Sequence, residues 1–264
     1  MPDSSRLITL LTDFGLEDHF VGVMKGVIAG IAPRAQVVDI THEVPPFQVG
    51  QARYLLGEAW RYFPARTIHV VVVDPGVGSE RRALLVEAGG QVFIGPDNGV
   101  LSDVLTLPKA KVRELTNRKL WLAKVSATFH GRDVFAPVAA HLAAGVTAAK
   151  AGKLIADARR LPVPAPVRTG KRFWTGEVVH VDRFGNLITN LAAVEFPELG
   201  KRRVVLKVGY ELIEGLSASY ASAAPGAVVA VLGSGGTIEI AINQGRADRK
   251  LGVGAGSPVD LEML

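Results

Sequence analysis

The sequence predicts an α/β protein, with a mostly parallel α/β/α domain at the N-terminus and a smaller all-β barrel domain at the C-terminus. Three observations carry that reading. The first half alternates continuous Val- and Ile-rich runs with apolar stripes of helical period, the pattern of parallel strands covered on both faces. A stretch with three prolines in seven residues, Leu161 to Val167, then interrupts the chain in the manner of a linker. Beyond it the apolar runs are short, β-rich and separated by Gly, Pro and Asn, with little helical pattern. A length of 264 residues suits two domains better than one core, so domains at 1–160 and 172–264 are expected, joined by a linker at 161–171.

Taken in order, Leu7 to Thr12 reads as a buried strand that stops at Asp13-Phe14-Gly15. Phe20, Val23, Met24, Val27, Ile28 and Ile31 then recur at three- and four-residue steps, giving a helix that Pro33 ends. Gln36 to Thr41 is a second strand, Val49 to Tyr62 a second helix closed by Pro64, and Thr67 to Val73 a third strand. Ala83 to Val86 and Gln91 to Ile94 form a hairpin turned by Gly89-Gly90, and Asp97-Asn98-Gly99 begins a further turn and a short helix. Helices are expected at about 133–144 and 148–156. After the prolines, strands fall at Thr175 to Val181, Arg203 to Val208, Ala227 to Leu232 and Thr237 to Ile242.

Composition removes several classes of function. With 48% hydrophobic and 21% charged residues the chain is globular, and zero Cys excludes disulfides, thiolate metal sites and Cys nucleophiles. The formal charge of +5 is mostly not clustered; the largest local surplus lies between Lys150 and Arg203, where eleven basic residues face five acids. Few aromatics fall there, and they do not make the interleaved basic and stacking track of a nucleic-acid groove, so nucleic acid is not an expected partner. The start, MPDSSRLITLLTDFG, lacks the basic opening and cleavage site of a signal peptide, and no apolar run reaches membrane-span length. A cytoplasmic protein with no membrane partner is expected.

In open α/β sheets, sites gather at the carboxyl ends of strands. Asp13, the Thr41-His42 pair and Asp74 each follow such a strand, so three polar loops should converge on one crevice. A carboxylate that ends a buried strand, as Asp13 does, has few structural reasons to be there, and such groups often bind ribose hydroxyls. Asp18 stands at the mouth of a helix, where an N-cap is the ordinary reading. Asp74 is followed by Pro75, Gly76 and Gly78, a tight turn able to aim N–H groups at a ligand, with Arg81 and Arg82 just beyond. Neither a nucleoside-triphosphate loop nor a dinucleotide fingerprint is present.

His130 lies in a turn that opens a helix, with Asp133 as its expected N-cap, and such a His can exchange hydrogen bonds with a bound water. No two histidines have zinc spacing, so no metal is expected. In the second domain, Asp182-Arg183-Phe184-Gly185-Asn186 and Ser234-Gly235-Gly236 read equally well as hairpin turns or as a stacking face with polar ends.

The strings LLTDFGLEDHFVGVMKG, VVDPGVGSERR, GPDNGVLS, FHGRDVFAPVAAHLA, DRFGNLITN and SGGTIEIAINQG resemble the S-adenosyl-L-methionine hydroxide adenosyltransferases, relatives of fluorinating and chlorinating enzymes. The matches run in order from about residue 7 to 245. The resemblance implies a homotrimer whose ligand lies between one subunit's first domain and its neighbour's second. It also implies cleavage of S-adenosyl-L-methionine by water to adenosine and L-methionine, without metal or cofactor. By position, Asp74, Arg81 and His130 match the water-activating triad, with Arg82 an adjacent alternative to Arg81. Asp13 matches the ribose-binding residue and Asp18 its companion. Asp182 and Asn186 match residues gripping the methionine end, with Phe184 and Ser234 beside them, while Asn243 and Gln244 fall in the strand that meets adenine. Phe47 stands where the halogenating relatives carry Trp, and Asp74 where they carry an uncharged residue. Two other readings stay open: a non-catalytic binder of adenosine or S-adenosyl-L-methionine, and a halide-dependent adenosyltransferase.

Overall fold

A computed structural model describes residues 6–264; the leader-free start expected of the chain falls partly on residues 1–5, outside the described residues. Contacts divide the chain into two compact units, Met1–Leu161 and Pro162–Leu264. Among the described residues no helix is long and apolar enough to cross a membrane.

Among the described residues the first unit carries seven strands: β1 (Leu7–Thr12), β2 (Gln36–Thr41), β3 (Ile68–Val72), β4 (Ala83–Ala88), β5 (Gln91–Pro96), β6 (Lys111–Glu114) and β7 (Leu154–Ile155). They form one sheet in the order β2-β1-β3-β5-β4-β6-β7. The sheet is mixed: β2, β1, β3 and β5 run parallel, whereas β4 turns back from β5 in a hairpin and β6 and β7 continue antiparallel. Three α-helices accompany it, α1 (Phe20–Ile31), α2 (Val49–Ala59) and α3 (Ala136–Ala143).

The apolar runs of β1 and β3 have side chains for two cores. Ile8, Leu10, Val70 and Val72 pack in one buried cluster with Met24 and Ile28 of α1 and Val138 of α3. Leu11 and Val71 belong to another, with Ala52 and Leu56 of α2. Strands buried on both faces, and apolar but for Thr9, Thr12 and His69, are what two apolar neighbours require.

Local departures from the sequence reading have local causes. The second helix stops as an α-helix at Ala59 and tightens into a 3-10 turn, Trp60–Tyr62. The helix expected at 148–156 is a single 3-10 turn, Ala148–Lys150, followed by β7. A side chain at Gly152 would run into the Glu114 carbonyl, and Glu114 N–H donates to the Lys153 carbonyl at 3.0 Å, so β6 recruits this backbone before a helix can form. The helix expected from Asp133 begins instead with a π-helical turn, Gly131–Phe135, that leads into α3.

The second unit is all-β apart from one short helix. Its strands are β8 (Val167–Arg168), β9 (Phe173–Val181), β10 (Leu187–Ala192), β11 (Val204–Val208), β12 (Glu211–Glu214), β13 (Val228–Leu232), β14 (Thr237–Ile242) and β15 (Pro258–Met263). They follow the order β12-β11-β15-β9-β10-β14-β13, with β8 on β9, in a sheet that is nearly barrel-shaped. Helix α4 (Ala247–Leu251) follows β14. The segment read as a linker therefore ends inside this unit, because Val167 and Arg168 pair with Thr175 and Trp174.

Candidate active site

Parallel strands deliver their following loops to one edge of the sheet. Asp13 leaves β1 and Asp74 follows β3, and both line a cavity of about 260 Å³ with Phe14, Phe47, Phe129 and His130. The loop after β2 contributes Pro46 and Phe47 to this lining rather than Thr41-His42. His42 is buried, with Nδ1 2.8 Å from the Thr12 hydroxyl and Nε2 3.1 Å from Asp39, and its carbonyl accepts the Gly15 N–H at 2.8 Å. It braces the Asp13 loop from behind.

Arg81 brings the three expected catalytic residues together. Its Nε donates to both Asp74 oxygens, at 3.0 and 2.9 Å, and its Nη2 donates again to Asp74 Oδ2. The same Nη2 lies 2.7 Å from His130 Nδ1. A guanidinium only donates, so Nδ1 must accept, which leaves a neutral ring with its proton on Nε2. Burial and then the Arg81 charge lower the His130 pKa from its ordinary value, opposed by Asp74, Asp133 and the Ser126 main chain. The Arg81 and Asp74 side chains are only 9% and 5% exposed, so the pair is desolvated and its geometry matters. Arg82 points elsewhere, donating to Asp97 and to Asp157, each at 2.8 Å.

The turn after Asp74 folds on itself. The Val77 N–H donates to the Asp74 carbonyl and the Ser79 N–H to the Gly76 carbonyl, so these amides are spent inside the loop and do not point at a ligand. Gly78 has φ +78° and faces the Ala127 carbonyl so closely that a Cβ would clash. Glycine there lets the Asp74 loop lie flush against the segment leading to His130.

Asp13 accepts the Phe47 N–H at 2.9 Å, and Phe47 adopts φ +68°, a conformation other than glycine seldom takes. Burial raises the Asp13 pKa, the Phe47 amide lowers it, and the Asp74 charge raises it further. Asp18 is exposed and is not the N-cap of α1; His19 holds that position, without a side-chain cap. Nor does Asp133 cap its helix. His130 precedes the π turn, while the Asp133 carboxylate is wholly buried and bonded to Ser126 and Arg132. Phe14, Phe20 and Phe129 meet one another at centroid distances of 5.2 to 5.8 Å and form an aromatic wall that the sequence reading missed. Phe14 adjoins Asp13 and Phe20 opens α1, so an aromatic on each side of the acidic loop was the available signal.

In the second unit, Asp182 Oδ1 accepts N–H groups of Phe184 and Asn186 at 2.9 and 2.8 Å, and Oδ2 accepts from Asn186 Nδ2 at 2.8 Å. This closes a tight turn that leaves Phe184 74% exposed. Ser234 and Gln244 are exposed, and Asn243 Nδ2 donates to the Ala223 carbonyl at 2.7 Å.

A mixed α/β unit with an acid after a parallel strand, a guanidinium bonded to that acid and an imidazole on the same guanidinium, joined to an all-β unit, is the construction of a two-domain enzyme with its own acid–base group. Residues 8–152 match the SAM hydroxide adenosyltransferase N-terminal domain and residues 176–260 the corresponding C-terminal domain. The chain belongs to the SAM hydroxide adenosyltransferase family. It is 41% identical to an (R)-S-adenosyl-L-methionine hydrolase of Salinispora tropica, over 94% of this chain and 95% of the relative. To the protein of that name from Thermus thermophilus it is 40% identical, over 97% and 99%. A fluorinase of Nocardia brasiliensis is 27% identical over 90% of each chain. Among solved structures, an uncharacterized conserved protein from Thermotoga maritima superposes with a TM-score of 0.89 at 39% identity, covering 96% of this chain and 99% of the other.

Proposed function

We propose that this chain hydrolyses S-adenosyl-L-methionine to adenosine and L-methionine. The observation that carries the reading is Asp74, gripped by Arg81 at the wall of the cavity, with His130 on the same guanidinium. The names of the relatives agree with it.

The chemistry asks little of a leaving-group acid, because the sulfonium departs as a neutral thioether. The demand falls on the nucleophile. Water held in line behind ribose C5′ forms the new C–O bond while the C5′–S pair of electrons returns to sulfur, and the water's proton passes to Asp74. Arg81 keeps the carboxylate facing the water. Attack on a cation neutralises charge, so a dry pocket favours the transition state, and Phe14, Phe20 and Phe129 supply apolar walls. A carboxylate at the nucleophile's position repels halide, which favours water over halide chemistry. The reaction balances without a cofactor.

Asp13 is assigned to the ribose hydroxyls, with Phe47 beside it and Asp18 at the loop's outer end. The proposal extends to a homotrimer, in which Asp182, Phe184, Asn186 and Ser234 of a neighbouring copy hold the methionine end and Asn243 and Gln244 approach adenine. The preformed Asp182–Asn186 turn and the bare Phe184 ring support that assignment. In the first unit we infer an α/β/α layering, supported by the split of Leu10 and Leu11 between two cores.

The deciding experiment is Asp74→Ala. Adenosine release from S-adenosyl-L-methionine should fall at least about a hundredfold, the scale of a lost general base, while calorimetry still detects substrate binding. Turnover at the native rate would remove Asp74 from the mechanism.

A further inference from the structure

Asp133 was expected to cap a helix, yet its carboxylate is turned away from solvent and holds a loop. Oδ2 accepts the Ser126 N–H at 2.7 Å and the Ser126 hydroxyl at 2.8 Å, and Arg132 reaches Oδ1 through Nε at 2.6 Å and Oδ2 through Nη2 at 3.1 Å. The Ser126 hydroxyl oxygen accepts the Phe129 N–H at 3.1 Å, and the Asp133 N–H donates to the Phe129 carbonyl at the same distance. One buried acid thus gathers 126–129 into a closed turn, and His130 is the next residue. The His130 ring meets Arg81, with Nδ1 2.7 Å from Nη2.

We propose that Asp133 is a positioning residue for the active site: by clamping Ser126 it fixes the His130 ring in one tautomer against Arg81, and so keeps Arg81 square on Asp74. The links are consecutive, from Asp133 to Ser126, from Ser126 to Phe129 beside His130, from His130 to Arg81 and from Arg81 to Asp74. With Nδ1 receiving from Arg81 and the ring proton on Nε2, His130 has no lone pair left for water. Its part is to aim Arg81, and Asp74 is left as the group that takes the proton. A simple ion pair would not need this arrangement. Arg132 is partly exposed and could meet an acid at the surface, whereas burying the carboxylate completely is worthwhile only where several donors converge. Burial works to raise the Asp133 pKa, but the Arg132 and Ser126 hydrogen bonds outweigh it and hold the pKa below its ordinary value.

The kinetic half of this inference rests on the hydrolase reading; the ring-state half does not. Asp133→Ala and Ser126→Ala should each be compared with the native protein for kcat and KM toward S-adenosyl-L-methionine, and for the His130 ring nitrogens by NMR without substrate. Asp133→Ala should lower kcat about tenfold or more, with KM changed less than about threefold, because misplacement far short of unfolding is enough to slow a positioned reaction. Its His130 signals should change from a single Nε2–H tautomer to a mixture. Ser126→Ala, which keeps the Asp133 bond to the main-chain N–H, should move both readouts in the same direction by less. If Asp133→Ala fails to fold, Ser126→Ala decides. Lowered melting temperature with kcat per folded molecule and the ring signals unchanged would overturn the proposal and make Asp133 purely structural. A native protein that releases no adenosine would defeat the hydrolase reading alone, since the NMR comparison needs no turnover.

Discussion

Acidification should weaken this protein through one histidine remote from the active-site cavity. His69 lies in β3 with no exposed surface. The Gln91 amide nitrogen donates to the Phe63 carbonyl at 2.8 Å, which points its oxygen at His69 Nε2, 2.5 Å away; that nitrogen therefore donates, and Nδ1 accepts from the Thr9 hydroxyl at 2.7 Å. The ring also stacks on Phe93 with centroids 4.9 Å apart. Every polar atom is satisfied by a neutral imidazole, and no carboxylate is at hand to welcome a cation. Burial lowers the pKa from 6.5 to about 4, although the Gln91 bond works the other way.

Between those two values the unfolded chain binds a proton that the folded chain refuses, so stability is fully present above pH 6.5 and drains away as the pH falls toward 4. A gap of that width, at about 1.4 kcal/mol per pH unit, amounts to about 3 kcal/mol from this residue. That is a large share of a typical total of about 5–15 kcal/mol. Urea unfolding at pH 7 and pH 4, for the native protein and for His69→Gln, isolates the effect, because Gln can meet both Thr9 and Gln91 but does not titrate. The native protein should lose about 3 kcal/mol more than the variant over that interval. Equal losses would refute the reasoning, whatever the absolute stabilities.

Two further comparisons bear on the site. Arg81→Gln should reduce kcat about a hundredfold and destabilise the fold by about 3–5 kcal/mol, since it strands the buried Asp74 charge. Arg82→Gln should leave kcat within about threefold, since its partners are Asp97 and Asp157; steady-state kinetics and denaturant titration on both variants check the contrast. Gly78→Ala should cost more than the roughly 1–2 kcal/mol of a left-handed alanine and should also lower kcat, because the added methyl pushes the Asp74 loop off Ala127. Gly254→Ala, with open space around it and ordinary backbone, is the control.

What the sequence revealed of the fold follows how local the determining forces are. β2 runs from Gln36 to Thr41 and β14 from Thr237 to Ile242, the same limits that apolar and β-branched content sets. The tail of the first unit was misread because Ala148 to Ala156 has helical content while its backbone is claimed by β6, a neighbour more than thirty residues earlier in the chain. β15 was overlooked although Val259, Leu261 and Met263 are buried at alternate positions; the intervening Asp260 and Glu262 and the opening Pro258 disguised it. β10 escaped notice because Asn190 interrupts LITNLA, yet that side chain bonds the Glu177 N–H and the Pro164 carbonyl.

At the cavity, Asp13 and Asp74 were legible from their places just after strands, and His130 from its place where a loop opens a helix. Which arginine meets Asp74 was not, because neighbours in sequence differ only in the direction their side chains leave the backbone. The burial of Asp133 was hidden for a similar reason: its donors, Ser126 and Arg132, are nearby in sequence, but only the closed turn shows them converging on one carboxylate.

The widened turn at Gly131–Phe135 sets aim by counting. A π turn accommodates one residue more than regular α-helix would, and each residue of helix turns the chain by about 100°. Winding the same five residues as regular α-helix would swing His130 around the axis by about a quarter of a revolution, with every side chain of the triad still encoded. For anyone grafting this centre onto another scaffold, the spacing between His130 and α3 is therefore as much a part of the blueprint as the three residues.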